Sequence, residues 1–201
     1  IGDANVFLGY QAGLDNQANN NVGIGNGSMG SNTSGTFNVA VGQGSLSANT
    51  TAANNVALGV GSLASNTTAS NNTAVGYQAL YTSSTASNNT AVGYQSGFSH
   101  TTGAANVSLG YGSLSNNTTA SNNTALGYQA LTANTTGAAN VAVGYHAGVA
   151  NTTGALTAVG YAAGGANTTA GGGVFVGYAA ATSNTTGTNN TAVGVLALTT
   201  N

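Results

Sequence analysis

A glycine that follows Val, Leu or Ile returns along the whole chain, at residues Gly9, Gly25, Gly42, Gly59, Gly76, Gly93, Gly110, Gly127, Gly144, Gly160, Gly177 and Gly194. Nine of the eleven intervals are 17 residues; the other two, 9 to 25 and 144 to 160, are 16. The phrase Ala-Ser-Asn-Asn-Thr-Ala-Val-Gly-Tyr-Gln at 69–78 is spelled again at 86–95, one period later. A fixed period of this kind dictates a repeat architecture, in which each unit buries its apolar face against its neighbours. The twelve repeats tile residues 1–201 as one array, without an interposed linker.

With the marker glycine in slot five, the consensus is Asn-[Thr/Val]-Ala-[Val/Leu]-Gly-Tyr-Gln-Ala-Leu-x-x-Asn-Thr-Thr-x-x-Asn. Slot two is always Val or Thr, slot four is always aliphatic, and slot eight is always Ala or Ser. Apolar residues alternating with small ones have the period of a strand. Frequent Gly, Asn and Thr argue against helix. Seventeen residues are too few for helix-containing repeats, which need roughly 20 or more. The expected fold is therefore all-β, a parallel β-solenoid or β-roll of twelve stacked coils. A strand is expected over slots one to six, a bend near slot seven, a second strand over eight to fourteen, and then a return turn. The missing residue of each 16-residue repeat is expected in a turn, because a deletion within a strand would exchange its two faces. At ~4.8 Å per coil, twelve coils make a rod of ~55 Å.

Two facings are possible for the strand. The expected one points slots two and four inward, giving a lumen of Val, Leu and Ala. It leaves slot three and the slot-five Gly as a smooth outer strip against which copies pack, with the small slot-eight residues giving the same signal. The competing arrangement points slot three inward across a very thin roll. Asn stacked on Asn at slots one and twelve is expected to hydrogen-bond from coil to coil.

The chain has no Lys, Arg, Cys, Pro or Trp, and only two acidic residues, Asp3 and Asp15. Nucleic acid is not an expected partner, because its phosphates are held by Lys and Arg. A membrane is not one either: anionic headgroups require the same residues, and no apolar run approaches the ~20 residues of a span. The first residue is Ile1, residues 1–4 read as the tail of a preceding repeat, and Asn201 falls at slot twelve in mid-coil. A segment of a longer fibre is the expectation from these ends.

The stretch Asn-Asn-Thr-Ala-Val-Gly-Tyr-Gln-Ala-Leu at 71–80 resembles the repeats of phage tail-fibre and bacterial surface proteins that often end in a self-cleaving intramolecular chaperone domain. More distantly, Asn-[Thr/Val]-Ala-[Val/Leu]-Gly is similar to the Ser-Val-Ala-Ile-Gly repeats in the heads of trimeric autotransporter adhesins. The resemblance covers residues 5–201 and is most specific at slots one to nine. It implies a left-handed parallel β-roll, assembly as a homotrimer and attachment to host surfaces, and it brings no catalytic residues.

Few side chains could do chemistry. Asp3 and Asp15 sit in turn slots, where solvated carboxylates are common; a catalytic pair needs a cleft and tuned environments. His100 replaces a slot-twelve Asn and His146 a slot-seven Gln, about three coils apart, so they do not share a metal. No helix follows the glycines, so they form no phosphate loop. No enzyme activity, cofactor or metal is expected.

Two rows remain. Tyr fills slot six in seven consecutive repeats: Tyr77, Tyr94, Tyr111, Tyr128, Tyr145, Tyr161 and Tyr178. It reads as a stacked ladder, with a sugar-binding row as the alternative. Asn-x-Thr/Ser begins at Asn32, Asn49, Asn66, Asn117, Asn134, Asn151, Asn167 and Asn184. It fits a hydrogen-bonded turn and ladder, a row of N-glycosylation sites, or, if slots twelve and fourteen face the same way, an ice-binding array. The expected function is a structural extracellular fibre segment, at a cell surface or on a virion. Its partners would be copies of itself, as homotrimer or filament, and host surface glycans. The alternative is an ice-binding or glycan-binding solenoid that uses the Asn-x-Thr face.

Overall fold

The structure, a computed structural model, describes residues 2–169 and 171–200. Ile1 and Asn201, with their places in the repeat, lie outside the described residues. Twelve parallel strands form one sheet in sequence order. They are β1 (Val6–Leu8), β2 (Val22–Ile24), β3 (Val39–Val41), β4 (Val56–Leu58), β5 (Thr73–Val75) and β6 (Thr90–Val92). Then follow β7 (Val107–Leu109), β8 (Thr124–Leu126), β9 (Val141–Val143), β10 (Leu156–Val159), β11 (Gly173–Val176) and β12 (Thr191–Val193). The fold is a β-solenoid with one strand per coil.

Pairing is slot on slot: Thr90 lies against Val107, Ala91 against Ser108 and Val92 against Leu109. Both short coils keep this register, because Val6 pairs with Val22 and Thr157 with Val141. The first sheds its residue just after Asn16, whose Nδ2 reaches the carbonyl two residues on, at Ala18, and not three. The second sheds it in the return turn before β10. Both deletions fall in turns, as the sequence led us to expect.

Two expectations need correction. Among the described residues, slots eight to fourteen form no second strand and run instead through turns, bends and irregular backbone. Coil-to-coil backbone bonds continue through these turns, as from the Leu46 N–H to the Ser62 carbonyl at 3.0 Å. The strand also faces the other way. Slot three is inside: Ala40, Ala57, Ala74, Ala91, Ala125, Ala142 and Ala158 have no exposed surface. The slot-four aliphatics point outward, and Leu109 is 49% exposed. Across the thin lumen slot three meets the equally small slot eight. The larger apolar volume comes from a turn position, slot nine, with Leu46, Leu63, Leu80, Leu114 and Leu131 all fully buried. These leucines adopt φ between +47° and +52°. That conformation costs roughly 1–2 kcal/mol per residue, and burying a leucine returns about 1.5–3 kcal/mol.

Slot nine is glycine in four repeats, Gly13, Gly97, Gly148 and Gly164. An ideal Cβ on Gly13 would lie 2.5 Å from the Phe7 ring, on Gly97 2.7 Å from the His100 ring, and on Gly164 2.7 Å from the Phe175 ring. On Gly148 it would meet a Leu156 methyl at 3.3 Å. At each slot-nine glycine, a large off-consensus residue from another slot fills the space. Phe7, His100, Leu156 and Phe175 are therefore paired substitutions, not scattered ones.

The rest of the lumen is amide. At slot one, from Asn5 to Asn140, the Asn Oδ1 accepts the backbone N–H of slot one in the next coil, as from Asn72 to Asn55 at 2.9 Å and from Asn89 to Asn72 at 2.8 Å. Slot-one and slot-twelve amides also converge on one carbonyl. The Ala52 oxygen accepts Nδ2 of Asn38 at 2.8 Å and of Asn49 at 3.1 Å. The stack supplies partners for most of these buried amide atoms, although Asn72 Nδ2, Asn123 Nδ2 and both polar atoms of Asn167 have none.

His100 interrupts this pattern. Its ring is buried, neither nitrogen has a hydrogen-bond partner, and burial lowers its pKa from 6.5 to about 4. Ser96, Ser108 and Ser113 form a small buried hydroxyl cluster in the same and the next coil. This polar layer separates the apolar cluster ending at Ala91 from the one beginning at Leu114. Below the pKa of an exposed imidazole, the unfolded chain takes up a proton that the folded chain refuses. Stability should therefore fall as pH drops from 6.5 towards about 4 and then level off, a loss of about 3 kcal/mol. The double variant Gly97→Leu/His100→Asn restores the consensus pair and should lose this slope in denaturant titrations. A wild-type slope equal to that of the double variant would place the imidazole outside the coil.

Candidate functional site

With Ala inside, each strand turns slots two and four outward, and the chain then presents slot six beside them. Slots two and four give a flat field of Val, Thr and Leu, and slot six borders it with tyrosine. The row from Tyr77 to Tyr178 is stacked throughout, with ring centroids 5.3, 4.9, 5.2, 5.1, 5.0 and 5.1 Å apart in order. The planes are within 13° of parallel. The coil repeat of ~4.8 Å sets this spacing. Each ring is about half exposed, from 42% at Tyr94 to 53% at Tyr178. Within the row the ring faces are turned to each other, so edges and hydroxyls are what solvent meets. Sugar rings stack on aromatic faces, and inside the row those faces are already occupied.

Two polar pairs lie beside this row in slot seven, separated by Gly112. The Gln95 Nε2 donates to the Gln78 Oε1 at 2.9 Å, and the His146 Nε2 and Gln129 Oε1 are 2.8 Å apart. His146 also lies against the Tyr145 ring, with centroids 4.0 Å apart. It is a surface ring in the ladder, far along the stack from His100.

The Asn-x-Thr positions are elsewhere. Asn32, Asn49, Asn66, Asn117, Asn134, Asn151, Asn167 and Asn184 are all buried. All but Asn167 close a local turn through the side chain: Asn117 Nδ2 donates to the Ala120 carbonyl at 2.9 Å and Asn134 Nδ2 to the Gly137 carbonyl at 2.9 Å. In the folded chain these amides are not presented to a ligand, an ice surface or a glycosyl transferase. Slot thirteen spends its hydroxyl on the next coil, as Thr50 Oγ1 does on the Thr67 carbonyl at 3.0 Å. Slot fourteen is exposed, giving a single outer rank of Thr51, Thr68, Thr85, Thr102, Thr119, Thr136, Thr153, Thr169 and Thr186. Slots twelve and fourteen thus do not share a face. Without a strand there, the alternation that would have paired them is absent.

Among the described residues no three His, Cys, Asp or Glu side chains gather in a metal-binding group. A shallow notch of about 160 Å³ lies where the second short coil lacks a turn residue. It is lined by Ala139, Ala155, Leu156, Thr157, Gly172, Gly173 and Val174 and has no convergent polar groups. No described helix is long and apolar enough to cross a membrane.

The outer strip of slots two, four and six is thus the candidate site. The tyrosine row in it was visible in the sequence. The facing of slots two and four was not, although small residues at slot eight in every repeat and at slot three in all but Phe7 and Phe175 carried the signal that the lumen is narrow. Comparisons with protein-family models, curated proteins and solved structures find no match to this chain.

Proposed function

We propose that the chain is a shaft segment of an extracellular fibre, which joins copies of itself through the outer strip of slots two, four and six. The observation that carries this reading is a strip of exposed Val, Leu and Tyr on one face of a rod with no Lys or Arg. Contiguous apolar surface of this kind marks an association site, and a near-uncharged rod does little to repel its copies. The strip is ~13 Å wide and ~55 Å long from strand geometry. That gives about 700 Å² per copy, close to the ~800 Å² that each partner buries in a stable interface. The contact moves from slot three, where the sequence led us to expect it, to the residues on either side. The proposed assembly is a homotrimer or a longer filament.

Light scattering and negative-stain microscopy test the proposal. The wild type should run as a multiple of 19.2 kDa and appear as rods. Leu126→Glu/Val143→Glu should stay folded and become a single chain. A wild type that stays monodisperse at 19.2 kDa at high concentration overturns self-association.

The exposed slot-fourteen Thr rank supports a second reading, an ice-binding solenoid. Thermal hysteresis in the monomeric variant, lost on replacing Thr102, Thr119 and Thr136 by Lys, would favour it over the fibre.

A further inference from the structure

The tyrosine row is also where this chain is open to oxidation. There is no Cys and no Trp, and the single methionine, Met29, has no exposed surface. The thiol and thioether routes that usually absorb oxidants are therefore absent or shielded. On the single chain, before copies associate, the accessible oxidisable groups are phenols, and seven of them stand in one file at 4.9 to 5.3 Å. Tyr10, by contrast, has Asn26 in the next coil and no tyrosine neighbour in its row.

We propose that this row is an oxidative cross-linking site, at which a peroxide acting through a haem peroxidase joins tyrosines of adjacent coils as dityrosine. Two neighbouring phenols each lose one electron to the peroxidase and their hydroxyl proton to water, leaving two tyrosyl radicals. The radicals couple through the ring carbons ortho to oxygen, forming one carbon–carbon bond. Each coupled carbon then releases its hydrogen as a proton, while the phenol oxygen takes one up, and both rings regain aromaticity. Two electrons and two protons leave in all, and they reduce one hydrogen peroxide to two waters. Stacking holds the partners at van der Waals range, and half exposure gives the rings room to tilt into bonding geometry. The product is a covalent rivet between coils 17 or 16 residues apart, and several in succession would clamp the stack along one edge.

The test treats the full chain with hydrogen peroxide and a haem peroxidase. Wild type should gain dityrosine fluorescence in the single-chain band of a denaturing gel, an intact mass lower by two hydrogens per cross-link, and a raised melting midpoint. Tyr94→Phe/Tyr128→Phe/Tyr161→Phe keeps every ring stacked but leaves the remaining ladder tyrosines two coils, ~10 Å, apart. Its single-chain dityrosine should fall at least tenfold. The complementary variant Tyr77→Phe/Tyr111→Phe/Tyr145→Phe/Tyr178→Phe should behave alike, so a folding defect in one set does not decide the matter. Dityrosine that forms only between chains, or equally in wild type and both variants, would overturn the proposal.

Discussion

Replacing Gly93 by alanine should cost at least about 3 kcal/mol, and it should do so by adding a single methyl group. Gly93 sits at φ +133°, a conformation essentially closed to residues with a side chain. An ideal Cβ there would lie 2.5 Å from the Gly110 oxygen and 2.8 Å from its carbonyl carbon. Both atoms are backbone of the next coil, and the Gly93 N–H is itself bonded to the Val75 carbonyl at 2.8 Å, so neither side yields. Conformational strain of roughly 1–3 kcal/mol adds to the clash. Gly112 is the control, two slots further on in the next coil. It too has a positive φ, +59°, but an added Cβ would only touch the Gln129 Cγ at 3.5 Å. Its slot already holds Ala162 and Ala179 at φ +52°. Gly112→Ala should cost only the roughly 1–2 kcal/mol of the left-handed conformation, with no clash added. Equal effects in denaturant titrations would mean that coils do not approach at slot five.

Ala91→Glu should unfold the middle of the rod, while Val92→Asp, one residue away, should leave it standing. Ala91 has no exposed surface and lies between Ala74 and Ser108 of the neighbouring coils. A carboxylate there would be buried without a cation in a chain that has no Lys or Arg, at a cost of several kcal/mol. Val92 points outward from the same strand, and its substitution should cost about 1 kcal/mol or less in the isolated chain. Its effect belongs instead to self-association. Thermal melts of the two variants separate the facings without a further structure. An intact Ala91→Glu and an unfolded Val92→Asp would restore the arrangement with slots two and four inside.

That facing is where the sequence was hardest to read. Val-Ala-Val alternates apolar with apolar, so hydrophobicity alone favours burying the larger residues. Volume decides otherwise. Ala57 and Ser62 are both inside the same coil, and with Leu63 filling slot nine that lumen has no room for a larger side chain at slot three. The leucine that fills the rest, Leu63, comes from a turn in a left-handed conformation, which strand patterning does not anticipate. The Asn-Thr-Thr run was similarly ambiguous. It has strand-like residues, but its Asn closes a turn through its side chain, and the backbone turns with it. The period, the all-β class, the stacked coils and the amide ladder were all legible, because they follow from each slot lying on its own copy. The pairing of Gly97 with His100, and of Gly164 with Phe175, was legible in principle: off-consensus large residues coincide with the loss of the slot-nine leucine.

The register of that stack is open to a direct chemical measurement, since the chain has no cysteine of its own. Thr90 and Val107 are register partners on the outer face of neighbouring strands. Parallel neighbours are ~4.8 Å apart, inside the 4.4–6.8 Å that a disulfide spans. Thr90→Cys/Val107→Cys should therefore close rapidly and completely to an intrachain disulfide in the folded protein. Thr90→Cys/Leu109→Cys places the same chemistry two residues out of register, at ~8 Å, and should stay reduced under the same oxidant. Closure of the second pair as fast as the first, or failure of the first while the chain remains folded, would contradict the in-register solenoid.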